Sequence, residues 1–361
     1  IGNGPWLSSG QAPTLSERRE LDLRRGLVTR RAVLAGPDGH QLFLEQRSFI
    51  SMDDPHLAVL ETTISAPDWN GTLTLRAGVD AGVRNSNVAA YIGSDTTHLA
   101  PPAFRHADDI TVCETHTRQS RIRIVTAVRT RLTGAAAVTE HLTETASQAT
   151  REFRVELERG RAVTLTKTAA IFTSHDRAIS EPSAAALDLF ERRGQDVAGL
   201  LERHEAEWRR LWHLFAVTLD ADTHSQLVLN LHVLHLLQTV STHTTALDAG
   251  VPARGLHGEG YRGHVFWDEV FVLPILDTRA PQVSRSLIEY RWRRLNEART
   301  AATAAGLGGA LFPWQSGSDG REETPTALYN PRSGRWMPDN SRRQRHVGLA
   351  IVVVVPYVDL D

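Results

Sequence analysis

Apolar and polar positions alternate with a period of two through much of the first half of the chain. Leu73, Leu75, Ala77 and Val79 interleave with Thr72, Thr74, Arg76 and Gly78. Ile122, Ile124, Thr126 and Val128 do the same. So do Phe153, Val155 and Leu157, then Val163, Leu165 and, less strictly, Ala169 and Ile171. Successive strand side chains point to opposite faces, so each run predicts a strand with one face on a core and one in water. Turn chemistry separates the runs: Gly36-Pro37-Asp38-Gly39 divides 27–34 from 41–50, and Glu158-Arg159-Gly160 divides two later strands. Short strands with polar turns predict an antiparallel β-sandwich over residues 1–178.

The period changes near residue 180. Pro182 stands at a helix start with Ser180 as its cap, followed by Ala184, Leu187 and Phe190 before Gly194 interrupts. Val197, Leu200, Leu201, His204, Trp208, Leu211, Trp212 and Phe215 then recur at three- and four-residue steps, which predicts one long amphipathic helix with Trp208 and Trp212 in its core face. This helical stretch covers 179–222. A helix over 225–240 is apolar on most sides and is expected to be buried. Another spans 282–305 and stops at Gly306. Residues 223–361 alternate helices with long polar, Gly-rich loops, and loops of that length are commonly functional.

Composition narrows the function classes. The 361 residues carry Lys+Arg 40 against Asp+Glu 42, a formal charge of −2, which argues against nucleic-acid binding through charge. No apolar run reaches bilayer-spanning length. A single cysteine, Cys113, allows no internal disulfide. The sole lysine, Lys167, lies in no G-x-x-x-x-G-K-[ST] motif, which excludes a P-loop. His232 and His235 share a helix face, but no third ligand is spaced to match, so no metal is expected. The sequence begins at Ile1 rather than Met and reads as a processed chain or a piece of a longer one; the expected location is cytoplasmic, with no nucleic-acid or membrane partner.

Chemistry concentrates in the loops of the second half. Residues 253–269 pack glycines, histidines, arginines, carboxylates and aromatics together, among them Glu259, Arg262, His264, Trp267 and Asp268. Residues 311–323 resemble them, with Trp314 and Gln315, and a further loop covers 329–341. Aromatic faces stack on the apolar side of a sugar ring, and carboxylates and arginines bond its hydroxyls. Glycines let backbone approach. The pattern predicts a carbohydrate site where the three loops meet at one end of a helical barrel. Glu259 either braces its loop or pairs with an arginine such as Arg254 or Arg262, and both readings are preferred to an acid/base pair with Asp268.

Ala253-Arg254-Gly255-Leu256 and the stretch from Gly258 to Asp268, with Phe312-Pro313-Trp314-Gln315-Ser316 and Asp339-Asn340-Ser341, resemble glycoside hydrolase family 65, the maltose, trehalose and kojibiose phosphorylases. Gly2-Asn3-Gly4, Leu21-Asp22-Leu23-Arg24-Arg25-Gly26 and Arg47-Ser48-Phe49-Ile50-Ser51-Met52 extend the likeness upstream. The resemblance implies a multidomain α+β chain: an N-terminal antiparallel β-sandwich, a helical linker and, over 223–361, the incomplete first part of an (α/α)6 barrel. It implies inverting cleavage of an α-linked glucose disaccharide with inorganic phosphate to β-glucose 1-phosphate, without a cofactor. Trp267 and Asp268 match the pair that holds the non-reducing glucose, and Trp314 and Gln315 a second contact of that subsite. Arg262, Glu259 and His264 complete the candidate set.

The family's general acid is expected beyond Asp361, so no catalytic residue is assigned within the chain, which reads as an N-terminal fragment. After Ile351, the run Val352-Val353-Val354-Val355-Pro356 disfavours helix. Alternatives are a non-catalytic carbohydrate-binding fragment and an inverting, trehalase-like α-glucoside hydrolase. The resemblance is compatible with a homodimer.

Overall fold

The computed structural model describes residues 14–36, 39–91, 96–135, 138–177, 179–193, 196–256 and 258–354, with side chains to residue 351. Gly2-Asn3-Gly4, Pro37-Asp38, Gly194, His257 and the tail from Val355 lie outside the described residues. The chain forms two compact units. The first comprises Ile1–Val83 and His98–Trp212, the second Arg84–Thr97 and His213–Asp361.

The first unit is antiparallel. Its strands are β1 (Thr14–Asp22), β2 (Leu27–Ala35), β3 (Gln41–Ile50), β4 (Leu57–Ser65), β5 (Gly71–Asp80), β6 (Ala103–Ala107), β7 (Ile110–His116), β8 (Arg123–Thr133), β9 (Val138–Glu144), β10 (Gln148–Leu157) and β11 (Ala162–Thr173). An eight-stranded sheet runs β1-β2-β3-β4-β11-β8-β7-β6, and a three-stranded sheet runs β5-β10-β9. The sheets share a core that includes Leu34, Leu42, Ile64, Leu73, Leu75, Phe153, Val155, Leu157, Val163 and Leu165. Strand β10 alternates as its sequence predicts, with Ala149, Arg151, Phe153, Val155 and Leu157 buried.

The large sheet departs from simple alternation because both of its faces are covered. One part faces the small sheet. The other packs on α1 (Pro182–Arg193) and α2 (Val197–Phe215), burying Leu57, Val59, Val125, Ala127, Ala170 and Phe172 against Ala186, Leu189, Phe190 and Leu200. The buried parity therefore switches along a strand. In β11, Val163 and Leu165 are buried first, then Ala170 and Phe172, and Ile171 is 42% exposed, contrary to the expected register. In β8 the fully buried positions are Val125 and Ala127 rather than Ile124 and Thr126.

Helix α1 likewise buries Ala186, Leu189 and Phe190 and leaves Leu187 exposed. Its start is bonded by Glu181, not Ser180: the amide of Ser183 donates to Glu181 Oε1 at 3.2 Å. Helix α2 follows its sequence pattern, with Leu200, His204, Trp208, Leu211, Trp212 and Phe215 all buried. His204 Nδ1 accepts from the Met52 amide (3.0 Å), which leaves Nε2 protonated to donate to the Arg25 carbonyl (2.8 Å). Trp212 Nε1 donates to the Leu23 carbonyl (2.9 Å). Gly26, at φ +58°, lies directly under the Trp208 indole, where any side chain would collide with the ring.

The second unit holds α3 (Thr223–Thr239), α4 (Glu269–Arg279), α5 (Pro281–Arg293), α6 (Leu295–Ala304), the hairpin β12 (Ala327–Asn330) with β13 (Arg335–Pro338), and α7 (His346–Val354). Asp222 caps α3, accepting from the amides of His224 (2.9 Å) and Ser225 (3.1 Å). The expected burial of α3 is met only in part: Val233, Leu234 and Leu237 are buried, while Leu227 is 53% and Val228 38% exposed. The helix expected over 282–305 is two helices. They break at Arg294, whose guanidinium bonds both oxygens of Asp248 at 2.9 Å. The β-branched run does not stop α7 at Ile351; the helix continues through Val354, and packing against α4 and α5 outweighs its weak local preference. Helix α4 carries no clear sequence signal, with Pro274 in its middle.

Candidate functional site

Two loops of the second unit are joined by backbone pairing. The amide of Val265 donates to the Ser316 carbonyl (3.0 Å), and Ser316 returns the bond to Val265 (2.9 Å). Glu322 then fixes the second loop. Its carboxylate accepts the amides of Trp314 (2.7 Å), Gln315 (3.2 Å) and Thr324 (3.0 Å). Three backbone donors on one carboxylate hold the Trp314–Gln315 backbone in a single conformation. Across the bridge, His264 Nδ1 lies 3.1 Å from Gln315 Oε1 and donates to it, which defines how the amide faces.

Trp267 and Trp314 are brought together through His346, the first residue of α7. The imidazole is edge-on to both rings, with centroids 5.1 Å and 5.0 Å away. Trp314 also packs on Phe266 (5.4 Å), which meets Tyr261 (4.6 Å). Beside Trp267, Asp268 occupies the cap position of α4 yet makes no side-chain capping bond. Its carboxylate is half-buried, and burial raises its pKa above the usual aspartate value, with Arg254 opposing the shift. Among the described residues it accepts no hydrogen bond from another residue. A half-buried carboxylate without a partner is ready to accept ligand hydroxyls.

Next to Asp268 in sequence, Glu269 forms a buried ion pair with Arg291, and Arg291 also donates to the Phe266 carbonyl (2.6 Å). Burial pushes the Glu269 carboxyl above its ordinary range; Arg291 opposes this. The pair pins the backbone on both sides of the Trp267–Asp268 step.

Glu259 and Arg262 do not join the tryptophans. Glu259 accepts from the Asn87 amide (2.8 Å) and, more loosely, from its side chain (3.3 Å). The loop is thus braced, by Asn87 rather than by Arg254 or Arg262. The Arg262 guanidinium lies 4.8 Å over the Tyr91 ring. Tyr261, Arg262 and Gly263 all have positive φ, at 61°, 55° and 72°. Each non-glycine residue held there costs on the order of 1 kcal/mol, so the surrounding contacts must hold the turn.

Of the candidate residues, Trp267, Asp268, Trp314, Gln315 and His264 are drawn together, while Glu259 and Arg262 engage the 84–97 segment. The third loop lies against the Ala89–Tyr91 turn, whose Tyr91 bonds the first loop at Tyr261. It is the β12–β13 hairpin, in which Trp336 pairs across the strands with Tyr329 (5.8 Å) and is 55% exposed. His346, Glu322, Arg291 and Tyr91 were not found from sequence. Only Glu322 carried a signal, as a carboxylate inside a Gly-rich loop. Among the described residues there is no cluster of three or more potential metal ligands. No helix among them is long and apolar enough to cross a membrane.

This arrangement resembles known proteins. Residues 1–211 match the model of the glycosyl hydrolase family 65 N-terminal domain, and residues 230–360 match that of the family's central catalytic domain. The chain is 43% identical over 354 residues to an uncharacterized glycosyl hydrolase of Mycobacterium tuberculosis, covering 97% of this chain and 27% of that protein. It is 32% identical to trehalose 6-phosphate phosphorylase of Lactococcus lactis (79% of this chain, 36% of the relative). It is 28% identical to kojibiose phosphorylase of Halothermothrix orenii (90% and 42%). These figures mean that the chain spans between about a quarter and two-fifths of the relatives' lengths. In structure it resembles a putative kojibiose phosphorylase from human microbiome, with TM-score 0.76 and 19% identity over 87% of this chain and 40% of that one.

Proposed function

This chain belongs to glycosyl hydrolase family 65, and from that premise we propose that it forms the sugar-holding part of an inverting disaccharide phosphorylase. The substrate is an α-linked glucose disaccharide. Inorganic phosphate attacks the anomeric carbon from the face opposite the leaving group, a carboxylic acid protonates the glycosidic oxygen, and the product is β-glucose 1-phosphate. Phosphate arrives as an anion, so the second carboxylate that activates water in an inverting hydrolase is not required.

The carrying observation is the unpartnered, half-buried Asp268 beside the Trp267–His346–Trp314 ring cluster. Asp268 accepts hydroxyls of the non-reducing glucose, the indoles cover its apolar face, and Gln315, oriented by His264, bonds a further hydroxyl. The nearby glutamates already have protein partners: Glu259 holds Asn87, Glu269 holds Arg291 and Glu322 holds three amides. No proton-donor role is assigned to any of them. Helices α3–α7 are read as part of an (α/α)6 barrel. Phe271, Trp292 and Leu349 are 69%, 65% and 69% exposed, an apolar surface that a closed ring of helices would cover.

Calorimetric titration with glucose, maltose, trehalose and kojibiose, each with and without phosphate, tests the reading. Glucose binding is expected to weaken about tenfold or more in Asp268→Ala, the scale of a charge-assisted hydrogen bond. Unchanged affinity in that variant sinks the assignment. The committed glutamates favour a second reading for these residues taken alone, binding without turnover. Phosphate-dependent release of glucose 1-phosphate by the chain would refute that second reading.

A further inference from the structure

The segment Arg84–Thr97 lies between β5 and β6 in sequence, yet it is part of the second unit rather than the first. Its contacts there are specific. Tyr91 Oη accepts the Tyr261 amide at 2.8 Å, and the Tyr91 ring lies under the Arg262 guanidinium. Asn87 donates to Glu259 from its backbone and its side chain. The hairpin strand β12 packs against the Ala89–Tyr91 turn that carries this tyrosine. These contacts converge on the turn whose backbone is held left-handed at Tyr261 and Arg262. Loop 259–264 gains from them the fixed geometry that its own local preferences oppose.

That loop leads directly into the sugar site. Two residues after Arg262, His264 orients Gln315, and Val265 pairs with Ser316. Ring contacts run the same way, from Tyr261 to Phe266 to Trp314 to His346 to Trp267.

We propose that Tyr91, supported by Asn87, is a positioning residue for the Trp267–Asp268 site: its hydroxyl and ring hold the left-handed Tyr261–Arg262 turn, and through it the His264–Gln315 contact and the Val265–Ser316 bridge. The proposal rests on the sugar reading given above for its functional consequence. Its structural arm stands independently of that reading. Tyr91 touches no substrate in this assignment; it acts through the loop.

The test uses the 361-residue chain and Tyr91→Phe, which keeps the ring under Arg262 and removes only the hydroxyl, with Tyr91→Ala as the larger lesion. Amide hydrogen exchange is followed at Tyr261, Val265 and Ser316 without ligand. Glucose affinity is measured by calorimetry and the global unfolding midpoint by thermal melting. Loss of one hydrogen bond predicts exchange at Tyr261 about fivefold faster in Tyr91→Phe, with a smaller increase at Val265 and Ser316. Glucose affinity falls about threefold, a step of roughly the size expected for partial loss of preorganisation. The melting midpoint stays where it was, which separates positioning from general destabilisation.

Unchanged exchange at Tyr261 overturns the proposal. So does faster exchange at Tyr261 with no change at Val265 and Ser316 and no change in glucose affinity. If the unmodified chain binds no glucose, the sugar reading fails. Exchange at Val265 and Ser316 then decides the positioning role alone.

Discussion

Arg291 Nε lies 3.0 Å from Oε2 of Glu269, the residue after Asp268, with the two side chains only 4% and 8% exposed. The pair does not establish stability by itself, because desolvating both charges offsets much of their attraction. Breaking it is a different matter.

Arg291→Leu leaves Glu269 and the Phe266 carbonyl buried without their donor, and is expected to destabilise the chain by about 3–5 kcal/mol in denaturant unfolding. Burial already raises the Glu269 pKa, and losing Arg291 removes the opposing charge. The folded variant then binds a proton that the unfolded chain, titrating near 4.5, does not. Relative to the parent chain, its stability is therefore expected to rise as pH falls from neutrality towards that value. Glu269→Gln combined with Arg291→Met should cost less than Arg291→Leu alone. A double variant that is worse than the single one contradicts this account.

Asp268 gives a pH prediction for binding. Hydroxyl donation requires the ionised carboxylate, and burial raises its folded pKa above the ordinary value of 3.8. On acidification Asp268 protonates earlier than a solvated aspartate. Glucose affinity should decline at a pH above that ordinary value and be nearly flat from there to neutrality. In Asp268→Asn the decline should vanish along with most of the affinity. Calorimetry across acidic pH checks both, and a decline centred at or below the ordinary aspartate value would contradict the role of burial.

The parts of this fold legible in sequence are those set by one dominant face. β10 has a single buried face, and Phe153, Val155 and Leu157 announce it. α2 has one apolar stripe, and Trp208 and Trp212 sit in it as expected. β11 reads wrongly at Ile171 because its burial changes face midway, from the small sheet to α1 and α2, and no local periodicity encodes such a change. The loop motifs were legible as chemistry: Trp267, Trp314, Gln315 and His264 are drawn together by the Val265–Ser316 pairing. Their organisers were not. His346 lies 79 residues beyond Trp267, and Tyr91 meets Tyr261 across 170 positions. Contacts of that separation depend on the fold, not on spacing.

His204 carries the last prediction. It is fully buried on α2, and both ring nitrogens are bonded to backbone, Nδ1 to the Met52 amide and Nε2 to the Arg25 carbonyl. Those bonds suit the neutral ring, since a protonated Nδ1 would face a donor. Burial holds its pKa below the usual histidine value of 6.5. The unfolded chain gains a proton near that value and the folded chain does not, so stability is full above it and is lost as pH falls towards the depressed folded pKa. His204→Gln offers an acceptor and a donor but does not titrate. It should cost about 1–3 kcal/mol at neutral pH through imperfect bonding in a tightly packed site. It should also flatten the pH dependence of the unfolding midpoint below about 6.5, the unperturbed histidine pKa. Thermal melts of both chains across that range decide the matter: equal slopes would show that His204 does not set the acid response.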